Sequence, residues 1–119
     1  MHTVSLQLAK ELEENGSNIG DHYEWYYDEV DNSWNTGCCK AICNREKLTK
    51  QGWLHHAPLL TEILDELPDE VSIKKEAKYY MCRSYKRSDK NYRYAKKDKN
   101  LCDAAARLWI ELKKEGYIS

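Results

Sequence analysis

The stretch VSIKKEAKYYMCRSY, residues 71–85, decides the fold of this 119-residue chain. Just before it, in residues 58–67, leucine and isoleucine recur at i, i+3, i+4 and i+7, the spacing of one helix face. From Val71 onward, apolar and aromatic side chains fall on alternate positions, which is the spacing of a strand with one buried face. The pattern therefore predicts a helix over 58–67, followed by one long strand over 71–85 that bends near Lys74.

The rest of the chain divides into shorter elements. A capping residue before an apolar stripe and a glycine after it predict helices over 4–16 and 100–116. Between them we predict a strand over 23–27, a turn over 31–37, a partner strand over 38–43, a loop over 44–56, a hairpin turn over 87–91 and a strand over 92–96. We expect one α+β domain, residues 1–119, with an antiparallel four-stranded sheet and three helices in the order α-β-β-α-β-β-α.

Composition excludes several classes of protein. The chain is 41% hydrophobic with four Trp and nine Tyr, which is too apolar and aromatic for a disordered chain. Apolar runs stay far short of the roughly 20 residues that span a bilayer, and the N-terminus lacks the features of a signal peptide. Five cysteines, an odd number at irregular spacing, fit reduced thiols better than a disulfide framework. We expect a cytoplasmic protein without a membrane partner.

Charge is segregated along the chain although the net charge is -1. Residues 1–36 carry one base and eight acids, whereas residues 74–99 carry eleven bases and three acids. Such a layout concerns partners more than fold. It also allows one molecule to bind another through opposite charges, so a homo-oligomer stays open.

Two local sequences carry a resemblance to a known group. Residues 56–68, HAPLLTEILDELP, and residues 100–116, NLCDAAARLWIELKKEG, resemble helices of small, mostly uncharacterised bacteriophage and prophage proteins. Residues 5–12, SLQLAKEL, are similar to the opening helix of that group. The resemblance implies a phage or prophage origin and a bacterial host cytoplasm. It brings no activity and no functional residue with it.

The basic, tyrosine-rich segment 74–99 is the first candidate site. Cations attract phosphates and aromatic faces stack on bases, so this mixture suits a nucleotide or nucleic acid. The candidate residues are Tyr80, Arg83, Lys86, Arg93, Tyr94 and Lys96. A solvated edge hairpin, whose lysines prevent edge-to-edge pairing, explains the same pattern without a ligand.

The acidic, aromatic segment near the N-terminus is the second candidate. Acids among exposed aromatic rings can dock on a basic protein partner, and the candidates for that contact are Trp25, Tyr26 and Trp34. A solvated acidic face over an aromatic core is the alternative interpretation.

Metal binding and catalysis have weaker support. Cys39, Cys43 and His55 are the weak candidates for zinc, but the chain has no Cys-x-x-Cys pair, so no metal or other cofactor is expected. Cys102, in the first turn of the last predicted helix, is a weak candidate nucleophile. Glycine-rich phosphate-binding motifs are absent from the sequence. We therefore do not expect an enzyme.

The function that these observations favour is non-enzymatic binding. The chain would be a phage or prophage accessory protein, or one that modulates its host, binding a host factor or a nucleotide signal through aromatic and charged surfaces. A nucleic-acid-binding protein that uses residues 74–99 is the first alternative. A small enzyme or a zinc-binding protein is the second.

Overall fold

The part of the chain that the structure describes forms four helices and six strands. The computed structural model describes residues 3–67, 70–85 and 92–118, without the side chains of residues 70, 85, 92 and 93. In chain order the elements are α1 (Leu6–Glu14), β1 (Tyr23–Asp28), β2 (Ser33–Cys38), α2 (Arg45–Gln51), β3 (Leu54–His56), α3 (Leu60–Asp65), β4 (Glu70–Lys75), β5 (Tyr80–Tyr85), β6 (Tyr92–Asp98) and α4 (Leu101–Lys114).

The strands form two separate antiparallel sheets. The first sheet has the order β2-β1-β3 and the second has the order β4-β5-β6. The fold is therefore α+β, but the expectation of one four-stranded sheet with three helices is wrong: the described residues form two three-stranded sheets and four helices. The predicted helices at both ends and after Pro58, and the predicted strands at 23–27 and 92–96, are confirmed.

The predicted loop over 44–56 is wrong because it contains α2 and β3. α2 is short and buries only Leu48, so no apolar stripe signals it in the sequence. Its ends are set by the backbone, since Asn44 and Gly52 both adopt the left-handed conformation. β3 has three residues and completes the first sheet as an edge strand, pairing His55 with Trp25.

Two predicted strands also have different bounds. β2 occupies Ser33–Cys38 and so overlaps the predicted turn over 31–37, because the chain has already turned at Asn32, whose φ is 52°. Of the predicted strand over 38–43, only Cys38 belongs to β2. The predicted long strand over 71–85 is two strands, and the backbone N–H of Glu76 donates to the Tyr79 carbonyl at 2.8 Å across the turn between them. That turn contains no Gly, Pro or Asn, so the usual turn signals are missing.

The core is built mainly by α1 and α4, which meet at their N-termini. α4 buries nine residues, and α1 buries Leu8, Ala9 and Leu12 against them. Asp103 of α4 accepts a hydrogen bond from the Ser5 backbone N–H at 2.7 Å, which joins the two helix starts. Burial raises the pKa of Asp103, an effect that outweighs the opposing hydrogen bonds from Ser5.

Candidate functional site

The second sheet has one face packed on α4 and another that we call the open face. Cys82 and Ser84 of β5 are fully buried on the packed face, next to α4. Because side chains alternate along a strand, their neighbours in sequence project to the other side. The register then assigns six residues to the open face: Ser72 and Lys74 of β4, Met81 and Arg83 of β5, and Ala95 and Lys97 of β6.

A row of three directly paired residues crosses the middle of the open face: Lys74, Met81 and Lys97. The two lysines are exposed and the methionine is partly exposed. Neighbouring strands are about 4.8 Å apart, so the two lysine Cα atoms are about 10 Å apart with Met81 midway. Arg83 lies two positions further along β5 on the same face. The open face thus has an apolar centre with three cations around it.

The lysines of the open face keep their charge accessible to solvent. The Lys74 ammonium is 3.7 Å from the Glu76 carboxylate, but the lysine side chain is 60% exposed, so this pair is strongly screened. The Lys97 ammonium lies 4.9 Å from the ring centroid of Tyr79. On the packed face, by contrast, Lys96 is 3.7 Å from a glutamate of α4 and is only partly exposed.

Three of the six predicted phosphate-binding residues lie on the packed face. Tyr80, Tyr94 and Lys96 share that face with the buried side chains of β5. Tyr94 packs against the core and its ring centroid is 5.9 Å from that of Tyr117. Burial raises the pKa of the Tyr94 hydroxyl. These three side chains are therefore turned away from the open face.

The other three predicted residues divide differently. Arg83 is on the open face. Arg93 is part of β6, but its side chain lies outside the described residues, as does all of Lys86 and the predicted turn over 87–91. The structure therefore does not bring the six residues together on one surface.

The three predicted protein-contact residues also have different surroundings. Trp25 packs against the core, and its indole N–H donates to the Val4 carbonyl at 2.9 Å, which is a structural role. Tyr26 projects from the other face of the first sheet, over Gly37, where an added Cβ would be 3.1 Å from its ring. Trp34 is directly paired with Tyr27 at the end of the β1–β2 hairpin.

Trp34 belongs to a half-buried aromatic cluster on the first sheet. Its ring centroid is 5.7 Å from that of Tyr27 and 5.7 Å from that of His55, and Tyr27 is 5.0 Å from Trp53. The ammonium of Lys10, from α1, lies 5.1 Å from the Trp34 ring. The cluster covers the side of the sheet that faces α1, so most of its area stabilises the fold.

His55 is held in this cluster by a carboxylate from α1. Its Nδ1 is 2.8 Å from Glu13 Oε2, and Glu13 Oε1 accepts the backbone N–H of His56 at 2.9 Å. Among the described residues, His55 Nε2 is buried without a hydrogen-bond partner. The histidine thus fastens β3 to α1.

A buried ion pair joins β1 to α2. The Glu24 side chain is 4% exposed, and Arg45 donates two hydrogen bonds to its carboxylate, one of them 2.9 Å long. Burial acts to raise the pKa of Glu24, but the bonds from Arg45 and from the Cys39 thiol outweigh it and lower that pKa. Burial and the same carboxylate raise the pKa of Cys39 to about 11. Cys39 is therefore a poor nucleophile and a poor metal ligand at neutral pH.

The other predicted reactive residues are not assembled into a site. Cys43 is exposed and contacts the Ala41 carbonyl at 4.0 Å. Cys102 is buried, and burial raises the pKa of its thiol. Across residues 3–67, 70–85 and 92–118, no three histidine, cysteine or acidic side chains come together in a way that could hold a metal ion.

Two concave regions are large enough for a ligand or a peptide side chain. A groove of about 360 Å³ lies between the β1–β2 hairpin and α2, with Tyr26, Ile42 and Trp53 among its lining residues. A cavity of about 520 Å³ lies at the start of α4, beside Tyr80 and Lys99.

Sequence reasoning missed the residues that make the open face a site. Lys74, Met81 and Lys97 are on it, whereas three of the six candidates taken from the sequence are on the packed face. The burial of Cys82 and Ser84 marks the packed side of β5, but this burial is visible only in the folded structure, so the sequence carried no signal for the open face.

Comparison with known proteins gives no match for this chain among family models, curated proteins or solved structures. Within the described residues, none of the helices is long and apolar enough to cross a membrane.

Proposed function

We propose that this chain is a non-enzymatic binding protein that holds single-stranded nucleic acid on the open face. The observation that carries the proposal is the row Lys74–Met81–Lys97 with Arg83 beside it: two exposed lysines and a partly buried arginine around an apolar centre. Phosphates pair with the cations, while unstacked bases cover the apolar centre. A duplex keeps its bases stacked inside, so it would use the cations alone.

The resemblance to phage and prophage proteins supports a cellular setting in which single-stranded nucleic acid would be bound. A phage accessory protein acts in the cytoplasm of a bacterial host, where single-stranded nucleic acid is present during replication and transcription. The proposed role is therefore to modulate phage or host nucleic acid rather than to transform a substrate.

The test is fluorescence anisotropy with a labelled oligothymidylate, titrated with the full chain at several salt concentrations. If three cations contact a single strand, the plot of log K against log salt should be at least as steep as a slope of about −2, because each contact contributes about −0.7. Lys97→Glu should weaken binding at least tenfold at low salt and reduce the steepness of the slope. Lys40→Glu is the matched control, because Lys40 is exposed in the loop after β2 and has the same charge change.

Two results would overturn the proposal. One is the absence of binding at low salt. The other is equal loss in the Lys97→Glu and Lys40→Glu variants, since binding would then follow net charge rather than the open face. Saturable binding of a mononucleotide that is lost in Lys99→Glu but kept in Lys97→Glu would instead favour a nucleotide ligand in the cavity at the start of α4.

A second candidate function is binding of a host protein in the groove between the β1–β2 hairpin and α2. The groove favours it because Tyr26, Ile42 and Trp53 offer aromatic and apolar surface beside the carboxylates of Asp28 and Glu29. A host protein captured by the wild-type chain and lost with Ile42→Lys would support this function. An empty capture with the wild-type chain would argue against it.

A further inference from the structure

The turn between β1 and β2 presents an unusual tip. Val30 is 90% exposed, although it is a large apolar residue. Three acids, Asp28, Glu29 and Asp31, are its neighbours in the sequence. Such a side chain gains by leaving water, and its acidic surroundings favour a basic partner.

The turn is held in shape by its own side chains. Asp28 Oδ1 accepts the backbone N–H of Val30 at 2.9 Å, and the Tyr27 hydroxyl donates to Asn32 Oδ1 at 3.2 Å. Asn32 adopts a positive φ of 52°, which asparagine tolerates better than most residues. Because the turn is already ordered, little conformational entropy is lost when it binds.

The open face is complementary to this turn. Its centre, Met81, is apolar and partly exposed, with Lys74 and Lys97 on either side and Arg83 two positions along the strand. An apolar tip within a group of acids thus matches an apolar centre within a group of bases. The two surfaces belong to different sheets of the chain.

From this match we infer that the β1–β2 turn of one molecule binds the open face of a second copy, with Val30 on Met81 and the acids of the turn on the surrounding cations. The contact is heterologous, since the two copies use different surfaces. A pair joined in this way still offers one free turn, on one molecule, and one free open face, on the other, so assembly continues into chains or closes into a ring.

Self-association also regulates the open face. A turn bound there excludes nucleic acid, so oligonucleotide should dissociate the assembly. This last consequence, unlike the contact between copies, rests on the proposed function.

The experiment measures mass by sedimentation velocity across a concentration series, at about 50 mM and about 500 mM salt, which shortens the screening length by about threefold. We expect the average mass to rise with concentration at low salt and to stay at 14.1 kDa at high salt. Val30→Lys should be monomeric, because it lacks the turn contact. Lys97→Glu should also be monomeric, because its open face is damaged.

Mixing the two variants gives the decisive measurement. Val30→Lys keeps an intact open face and Lys97→Glu keeps an intact turn, so an equimolar mixture can form one contact only. We expect a 1:1 dimer of about twice the monomer mass and no larger species. Glu14→Lys and Lys40→Glu change the charge at exposed positions elsewhere and should associate like the wild type. Matching circular dichroism spectra verify that each variant is folded.

Three results would overturn the inference: a wild-type chain that stays monomeric at every concentration, a variant mixture without a 1:1 dimer, or equal loss in the two control variants. The proposed function is tested separately by oligonucleotide binding to monomeric Val30→Lys. That variant retains the open face, so it can bind oligonucleotide even if the wild type does not self-associate. Equally, the wild type can self-associate even if the variant does not bind oligonucleotide.

Discussion

Replacing Arg45 with alanine tests the buried ion pair between β1 and α2. Glu24 is 3% exposed, and the two hydrogen bonds from Arg45 hold its carboxylate in the ionised form. Without the guanidinium, that carboxylate is either charged and unpaired in the interior or has to take up a proton. Both alternatives destabilise the folded state at neutral pH.

The size of the effect follows from the exposure of the two partners. Removing one partner of a fully buried pair costs about 3–5 kcal/mol. The Arg45 side chain is 46% exposed, so water can reach the vacated space and the cost falls to about 2–3 kcal/mol. For 119 residues the unfolding entropy is about 0.25 kcal/mol/K, so the melting temperature should fall by about 8–12 °C.

Urea denaturation at several pH values is the assay. In the wild type the pKa of Glu24 is lowered, so its stabilising contribution is present above the ordinary value of 4.5 and is lost as the pH falls through the lowered pKa. In Arg45→Ala the two bonds from Arg45 that oppose burial are lost, so the pKa of Glu24 rises relative to the wild type. The difference in unfolding free energy between the two proteins should therefore be largest at neutral pH and shrink in acid.

Lys47→Ala is the matched control. Lys47 belongs to α2, like Arg45, but its ion pair with Glu29 is exposed, so this substitution should cost less than about 1 kcal/mol. A loss in Arg45→Ala no larger than the loss in Lys47→Ala would refute the reasoning. So would a loss that does not change between neutral and acid pH.

Three further predictions concern single side chains. In Glu24→Gln the pKa of Cys39 should fall from about 11, because the Glu24 carboxylate that helps to raise it is removed while burial remains. Iodoacetamide should then alkylate this thiol faster at mildly alkaline pH, which mass spectrometry would measure. Gly20→Ala should cost about 1–3 kcal/mol in urea denaturation, because φ is +121° and the new Cβ would be 3.2 Å from a histidine side chain of β3; a neutral result would contradict this close approach. Burial raises the pKa of Asp103, so its contribution to stability is lost as pH rises through that pKa. Asp103→Asn keeps an acceptor for the Ser5 N–H and should therefore gain stability relative to wild type between about pH 4 and neutral. Parallel pH profiles of the two proteins would rule this out.

The fold could be predicted where one local pattern decided it. The helix before Pro68 and the change of spacing at Val71 could both be predicted, because each element buries one face only and its apolar residues therefore recur at a regular spacing. The pairing of the strands was not readable, since β3 has only three residues and joins the first sheet through contacts with distant β1. α2 was missed for a similar reason: with Leu48 as its one buried residue, it has no stripe to detect.

The candidate site could be predicted only to the level of a segment. The excess of bases in residues 74–99 pointed to the second sheet, but the sequence did not show which parity of β5 faces α4. Tyr80 is amphipathic and Met81 is apolar and flexible, so each is compatible with either face of β5. The choice depends on packing against α4, which buries Cys82 and Ser84. Val30 gave no signal at all, because its exposure is a property of the folded turn.

The hydrogen bond from Ser5 to Asp103 links residues 98 positions apart, and this separation has a kinetic consequence. Closing a flexible loop of that length costs about 4 kcal/mol of chain entropy before any contact repays it. We therefore expect the two sheets to form early and the docking of α1 on α4 to limit the refolding rate.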